Sequence, residues 1–234
     1  MDEGGFSVKK YIPLLLSILL LSACSDMQKA NNGEVKTESQ QTKIASNIEK
    51  NKAKSLSDIY VPNPQVSDDT NLLEVGQKIK DEKGEITLIG KASLNKTFTI
   101  GSVEMKIKNV KLLQNTPTYS LMDYFHYYTE SYENFQFVKV EVELVNKSGE
   151  KVNFGPVSHL KTSNNEVKAF HDDFYIEYLG GEIGPNASKQ GALGFIVEKT
   201  TPSLEWLELT TSDVLDSNKK VVGKAQKIKI NLEK

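Results

Sequence analysis

Chemistry requires particular side chains to be brought together, and in this chain the candidates by type are histidines, carboxylates and tyrosines. His171, Asp172, Asp173 and Glu177 fall within HDDFYIEYLGGEIG, residues 171–184, where carboxylate oxygens could hold calcium. The spacing matches no EF-hand loop and reads as a solvated loop. His126, His159 and His171 are widely separated and form no H-E-x-x-H pair, so neither a zinc site nor another cofactor is expected. Ser148-Gly149-Glu150-Lys151 and Ser217-Asn218-Lys219-Lys220 fit S-x-x-K, but both lie in turn sequences without S-D-N or K-T-G partners. The sequence has no G-x-S-x-G, P-loop or G-x-G-x-x-G signature. The protein is therefore expected not to be an enzyme.

The densest aromatic stretch is TYSLMDYFHYYTESYENF, Thr118 to Phe135, which holds five of the nine tyrosines. Ser120 to Asp123 reads as a capping box, and Leu121, Phe125, Tyr128 and Tyr132 recur at helical spacing. A short helix inserted between two strands is expected. Two readings stay open: half-buried packing that lids one end of the fold, or a contact surface for a protein or glycan. Tyrosine suits the second because it offers large area at low entropic cost. The candidate binding residues are Tyr119, Tyr124, Phe125, His126, Tyr127, Tyr128 and Tyr132.

The single cysteine, Cys24, ends the one long apolar run. Lys9 and Lys10 precede that run, which extends from Tyr11 through Leu21 and closes on Ser22 and Ala23. At about 11 to 13 residues it is short of the roughly 20 that cross a bilayer, and it has the form of a secretory signal. Leu21-Ser22-Ala23-Cys24 resembles a bacterial lipobox. The resemblance implies that the Cys24 thiol receives a diacylglycerol group and that cleavage leaves it as the first mature residue. Each buried methylene is worth about 0.8 kcal/mol and two chains hold a protein stably where one does not, so such a protein is anchored rather than spanning. A lone cysteine also excludes an internal disulfide, a thiolate metal cluster and a C-x-x-C pair. Asp2 and Glu3 put acid where a signal is normally basic, so the true start is expected at Val8; codons for Glu3-Gly4-Gly5 can spell a ribosome-binding sequence.

From Ser25 to about Ser57 the chain is Asn, Lys, Gln, Glu, Ser and Thr without apolar periodicity. Such a segment cannot bury enough surface to offset its ordering entropy and is expected to be a disordered linker. The roughly 45 residues between Cys24 and the first expected strand would have a root-mean-square reach of about 35 to 40 Å. All 29 basic residues are lysine, and the formal net charge is -2. With no arginine for bidentate readout and no basic excess, nucleic-acid binding is disfavoured.

Past Gly84 the pattern becomes short apolar alternations between turn residues. In FQFVKVEVELVN, Phe135 to Asn146, Val138, Val140, Val142 and Leu144 point one way and Lys139, Glu141 and Glu143 the other, so one face should be buried and the other wet. Similar runs are Glu85 to Ile89, Thr97 to Ile100, Val103 to Leu112, Leu160 to Ser163, Gly191 to Val197, Leu204 to Leu209 and Gln226 to Leu232. About seven or eight strands without helical repeats favour an antiparallel sandwich. Trp206 fits either its core or an edge. The stretches GKASLNKTFTIGSVEMKIKNVKLL, FVKVEVELVNKSGEKVNF and IGPNASKQGALGFIVE resemble the telokin-like, immunoglobulin-fold domains of unknown function in Gram-positive lipoproteins. The matching elements are Thr99 to Gly101, Val145-Asn146, and Pro185 through Phe195, with Asn186 where that family usually has glycine. Asparagine tolerates the left-handed backbone region such a turn requires.

The chain is thus expected to be all-β: an immunoglobulin-like antiparallel β-sandwich with a short helical insert over 71–234, preceded by a signal peptide, 1–23, and a lipidated cysteine with a flexible linker, 24–70. The expected role is a lipid-anchored extracellular binding module of the Gram-positive envelope, held to the cytoplasmic membrane by its anchor. The alternatives are a metal-dependent enzyme or sensor using His126 or His171 with nearby carboxylates, and a structural envelope spacer.

Overall fold

The computed structural model describes residues 63–234. Cys24, the leader, the Val8 start and the Ser25 to Ser57 linker lie outside the described residues.

The fold is an antiparallel all-β sandwich with one short helix. Strands β1 (Lys78–Asp81), β2 (Gly84–Ala92), β4 (Val103–Pro117), β5 (Phe135–Asn146) and β10 (Ser188–Val197) form one sheet in that order, with β3 (Lys96–Ile100) also paired to β4. Facing it are two smaller sheets. One orders β14 (Lys227–Asn231), β11 (Trp206–Thr210), β7 (His159–Thr162) and β8 (Val167–Ala169). The other orders β13 (Val221–Gly223), β12 (Val214–Asp216), β6 (Val152–Phe154) and β9 (Gly181–Ile183). The main core lies between these layers, with Val138, Val140, Val142 and Leu144 of β5 packed against Phe154, Leu160, Leu207 and Leu209. Each such side chain stabilises the fold by about 1.5–3 kcal/mol on full burial.

A bulge in β4 changes which residues face inward. The β4–β5 register shifts between Ile107 and Asn109, so Val103, Met105 and Ile107 before it and Val110 and Leu112 after it all reach the main core. One extra residue inverts the alternation, which sends Lys111 and Leu113 to the outer face. Trp206 is half-buried at the small sheet's surface, with Lys229 Nζ 4.3 Å from its ring centroid.

That outer face is not wet, contrary to what the alternation in β5 suggests. Ile86, Leu88, Leu113, Phe135 and Phe137 form a second core there with Phe125, Phe174 and Tyr175. Val66, from the stretch assigned by sequence to the linker, and Leu72, at the start of the expected domain, complete it. The folded domain therefore begins before residue 70. Lys139 is only 4% exposed, because Asp69 sits over it: Asp69 Oδ1 lies 2.5 Å from Lys139 Nζ, and Asp69 Oδ2 lies 2.9 Å from Lys111 Nζ. Burial alone would raise the Asp69 carboxyl, but the two ammonium groups hold it below the ordinary carboxylate value. Further ties come from Lys83 Nζ, which donates to the Asn63 and Val66 carbonyls, and from Ser67 Oγ, which donates to Asp81 Oδ1.

The Val145-Asn146 strand ending has a structural explanation. Asn146 is fully buried; its Nδ2 donates to the Glu150 and Gly184 carbonyls, and its Oδ1 accepts from Ser148. One side chain thus holds the turn after β5 to the turn before β10, where Asn186 adopts φ 52°.

Candidate functional site

The tyrosine-rich stretch folds as α1 (Tyr119–His126) followed by turns. Its start differs from the expected capping box. Thr118 is the N-cap, Ser120 lies inside the first turn, and Thr118 Oγ1 is directed to the Glu82 and Lys83 carbonyls. The helix lies on the outer face of the large sheet rather than over one end of the sandwich, driving Phe125 into the second core against Phe135 and Phe174. Tyr124, Tyr128 and Tyr132 are half-buried around it. Tyr124 donates to the Phe174 carbonyl at 2.7 Å, and burial together with neighbouring Tyr128 pushes its hydroxyl pKa up. Tyr119 and Tyr127 are 89% and 86% exposed. His126 stacks edge-on against Tyr132. The seven candidates therefore do not form one surface.

The segment from Phe170 to Gly181 is the other half of the site. A short 3-10 turn, Phe170–Asp172, leads into Asp173, whose Oδ1 accepts from Gly194 N at 2.8 Å and Tyr175 N at 3.1 Å. Four residues on, Glu177 accepts from Ala192 N at 2.9 Å. Strand β10 is the last in its sheet, so its outward N–H groups would be unpaired. These carboxylates occupy them instead, and Glu166 does the same for Glu198 and Lys199. Gly194 and Gly191 allow the close approach, since a Cβ at 194 would overlap the Tyr175 ring and one at 191 the Glu177 carboxylate. Burial raises the Asp173 carboxyl to about 6 against its backbone hydrogen bonds, and burial also raises Glu177.

This segment closes one wall of a cleft of about 670 Å³ where β6 crosses from one small sheet into β7 of the other. Pro156, Val157, Leu179 and Leu193 give it an apolar floor continuous with the main core. Phe170, Ile176 and Tyr178 border it, all exposed, Tyr178 by 80%. Ile176 and Tyr178 have φ of 55° and 51°, left-handed values that a β-branched or bulky side chain rarely adopts. Backbone of this kind costs on the order of 1–3 kcal/mol per residue and persists only where the surroundings enforce it. The hydrogen bonds of Asp173 and Glu177 are that enforcement. Tyr128, His171 and Asp173 also line the cleft, and Tyr128 and His171 are shared with an adjoining hollow of about 270 Å³ beside Tyr127. The structure thus brings part of the tyrosine-rich stretch and the His171 loop to one place.

Catalytic geometry is sparse there. His171 Nε2 is 3.7 Å from Asp172 Oδ1, too long for a hydrogen bond. Ser158 Oγ lies 3.1 Å from His159 Nδ1, but among the described residues no carboxylate orients that ring, as a nucleophile–base–acid relay requires. No group of three or more His, Cys, Asp or Glu is placed to hold a metal ion among the described residues. No described helix is long and apolar enough to cross a membrane. Sequence reasoning missed Ile176, Tyr178 and the cleft floor; the paired glycines Gly191 and Gly194 in an apolar strand were the available signal of something packed close above.

The chain belongs to the family described as "Domain of unknown function (DUF4352)", whose model matches residues 92–221, more than half of the chain and all of the cleft. It is 39% identical over 240 residues, 95% of its own length and 99% of the relative's, to "Uncharacterized protein YdhF" of Bacillus subtilis (strain 168). Among solved structures it is similar to a functionally unknown protein from Listeria monocytogenes EGD-e at 13% identity, covering 63% of this chain and 87% of that one with a TM-score of 0.47. The yjhA protein of Bacillus subtilis matches at 12% identity, 50% and 80% coverage and a TM-score of 0.31.

Proposed function

We propose that the protein is a lipid-anchored binding module on the outer face of the cytoplasmic membrane of a Gram-positive cell, taking its ligand in the cleft between β6, β7 and the Phe170 to Gly181 segment. The observation that carries the binding role is the cleft itself: an apolar floor, exposed rings at the rim and a strained, preformed wall. Ligand sites of soluble domains are typically such concavities with a few convergent polar groups. The absence of a relay around His159 or His171 in the described residues favours capture over turnover. The leader ending in Leu21-Ser22-Ala23-Cys24 and the Bacillus relative support the anchored, Gram-positive setting.

Two measurements test this. Metabolic labelling with an alkyne-tagged fatty acid should mark the wild type and not Cys24→Ser, and only the wild type should be shaved from intact protoplasts by added protease. Chemical-shift mapping of the full-length protein against small envelope fragments should concentrate changes at Val157, Ile176 and Tyr178. Shifts scattered over the surface, or none, would favour an inert spacer; conversion of a fragment would favour an enzyme.

A further inference from the structure

We infer that the ligand this cleft accepts is a small organic cation, an amine or quaternary ammonium carried on an apolar body. The inference rests on the binding reading above and adds the sign of the ligand's charge.

Charge complementarity supports it first. The chain has 29 lysines, yet none lines the cleft, and Asp173 is the one carboxylate that does. Two lysines of neighbouring elements lie beside it, each held by oxygen acceptors. Lys168 Nζ is 3.0 Å from Glu166 Oε1, and Lys189 Nζ is 3.5 Å from the Tyr178 and Gly180 carbonyls. An anion entering the cleft would meet Asp173, while the nearest ammonium described, that of Lys189, is held on the Tyr178 and Gly180 carbonyls of the wall. A cation would meet a carboxylate whose first oxygen is fixed by Gly194 and Tyr175 N–H groups, so the charge is already positioned.

The walls support it second. The rings of Tyr128, Phe170 and Tyr178 border the cleft, and aromatic faces attract a cation within about 6 Å of the centroid through the ring quadrupole. Val157, Leu179 and Leu193 then receive the apolar body. A polyhydroxylated sugar would leave hydroxyls unpaired against this floor, each a desolvation cost. The left-handed Ile176 and Tyr178 keep the rim preformed, which reduces the ordering cost of binding.

Three probes of matched shape separate the terms: 2-phenylethylammonium, neutral 2-phenylethanol and anionic 3-phenylpropionate. Each is titrated at pH 7.5 into the full-length protein in nanodiscs, with affinity read from the Ile176 and Tyr178 amide shifts. The ammonium probe should bind at least tenfold tighter than the alcohol, and the propionate should be weakest. Asp173→Asn, which can still accept from Gly194 and Tyr175, should remove at least tenfold of the ammonium affinity and leave the alcohol unchanged. If the alcohol or the propionate matches the ammonium, the charge inference is overturned while the cleft remains a binding site. If none of the three moves these amides, the charge inference and the binding reading both fall.

Discussion

Asp69 Oδ1 lies 2.5 Å from Lys139 Nζ across a separation of 70 residues, which fastens the chain ahead of the first strand to the middle of β5. Both residues are under 5% exposed, and Lys111 shares the carboxylate. Removing one member of a buried pair leaves charge without compensation, typically at about 3–5 kcal/mol. Asp69→Ala should lower stability by that amount in urea unfolding at pH 7. Because the folded Asp69 carboxyl sits below its ordinary value, its contribution is complete above about pH 4 and is lost as pH falls through the folded value. The gap between variant and wild type should therefore narrow in acid.

The same geometry sets where the folded domain can be cut. A chain beginning at residue 73 lacks Val66 and Leu72 and exposes Ile86 and Leu88 beneath them. At about 1.5–3 kcal/mol per buried aliphatic side chain, the loss is about 3–6 kcal/mol before the Asp69 contacts are counted. A chain beginning at residue 52 should unfold at a clearly higher temperature than one beginning at residue 73. Equal midpoints would mean that the segment merely rests on the sheet.

The inner face was legible and the outer face was not, and Lys139 shows why. Strict alternation in β5 identifies Val138, Val140, Val142 and Leu144 as one face, and they do form the main core. The same alternation reads Lys139 as solvated, since nothing local announces a partner 70 residues away. The eight strands expected from alternation are present, with β4 running beyond Leu112 to Pro117. The unanticipated β1, β6, β8, β9, β12 and β13 have only three or four residues each, too few for a period of two to stand out. The cleft escaped for a related reason. Its residues come mainly from β6, the connection from β6 to β7, β10 and the loop before β9, and only the sandwich brings them together.

The tyrosine-rich stretch divides into parts that substitution can separate. Phe125 is fully buried among aromatic rings, so Phe125→Ala should cost about 3–5 kcal/mol. Tyr124→Phe loses only the hydrogen bond to the Phe174 carbonyl, about 0.5–1.5 kcal/mol. Tyr119→Ala and Tyr127→Ala remove exposed rings and should stay within about 0.5 kcal/mol of wild type. Thermal unfolding of the four variants checks the order; a large loss at Tyr127 would show that the exposed ring has a packing role.

Asp173 carries the opposite pH signature to Asp69. Its folded carboxyl is raised to about 6 from 3.8 chiefly by burial, with Glu177 adding repulsion. Between those two values the unfolded chain has released the proton and the folded chain still holds it. Stability from this group is therefore complete below about pH 4, falls as pH rises to about 6 and is flat above, with about 3 kcal/mol as its upper bound. Asp173→Asn keeps an acceptor for Gly194 and Tyr175 and removes the desolvated charge. The variant should match wild type near pH 4 and exceed it at pH 7.5, read as the difference in unfolding midpoint across that range. If Asp173→Asn is instead the less stable protein at pH 7.5, the ionised carboxylate is a favourable partner of the β10 edge, and its place in the cleft is structural.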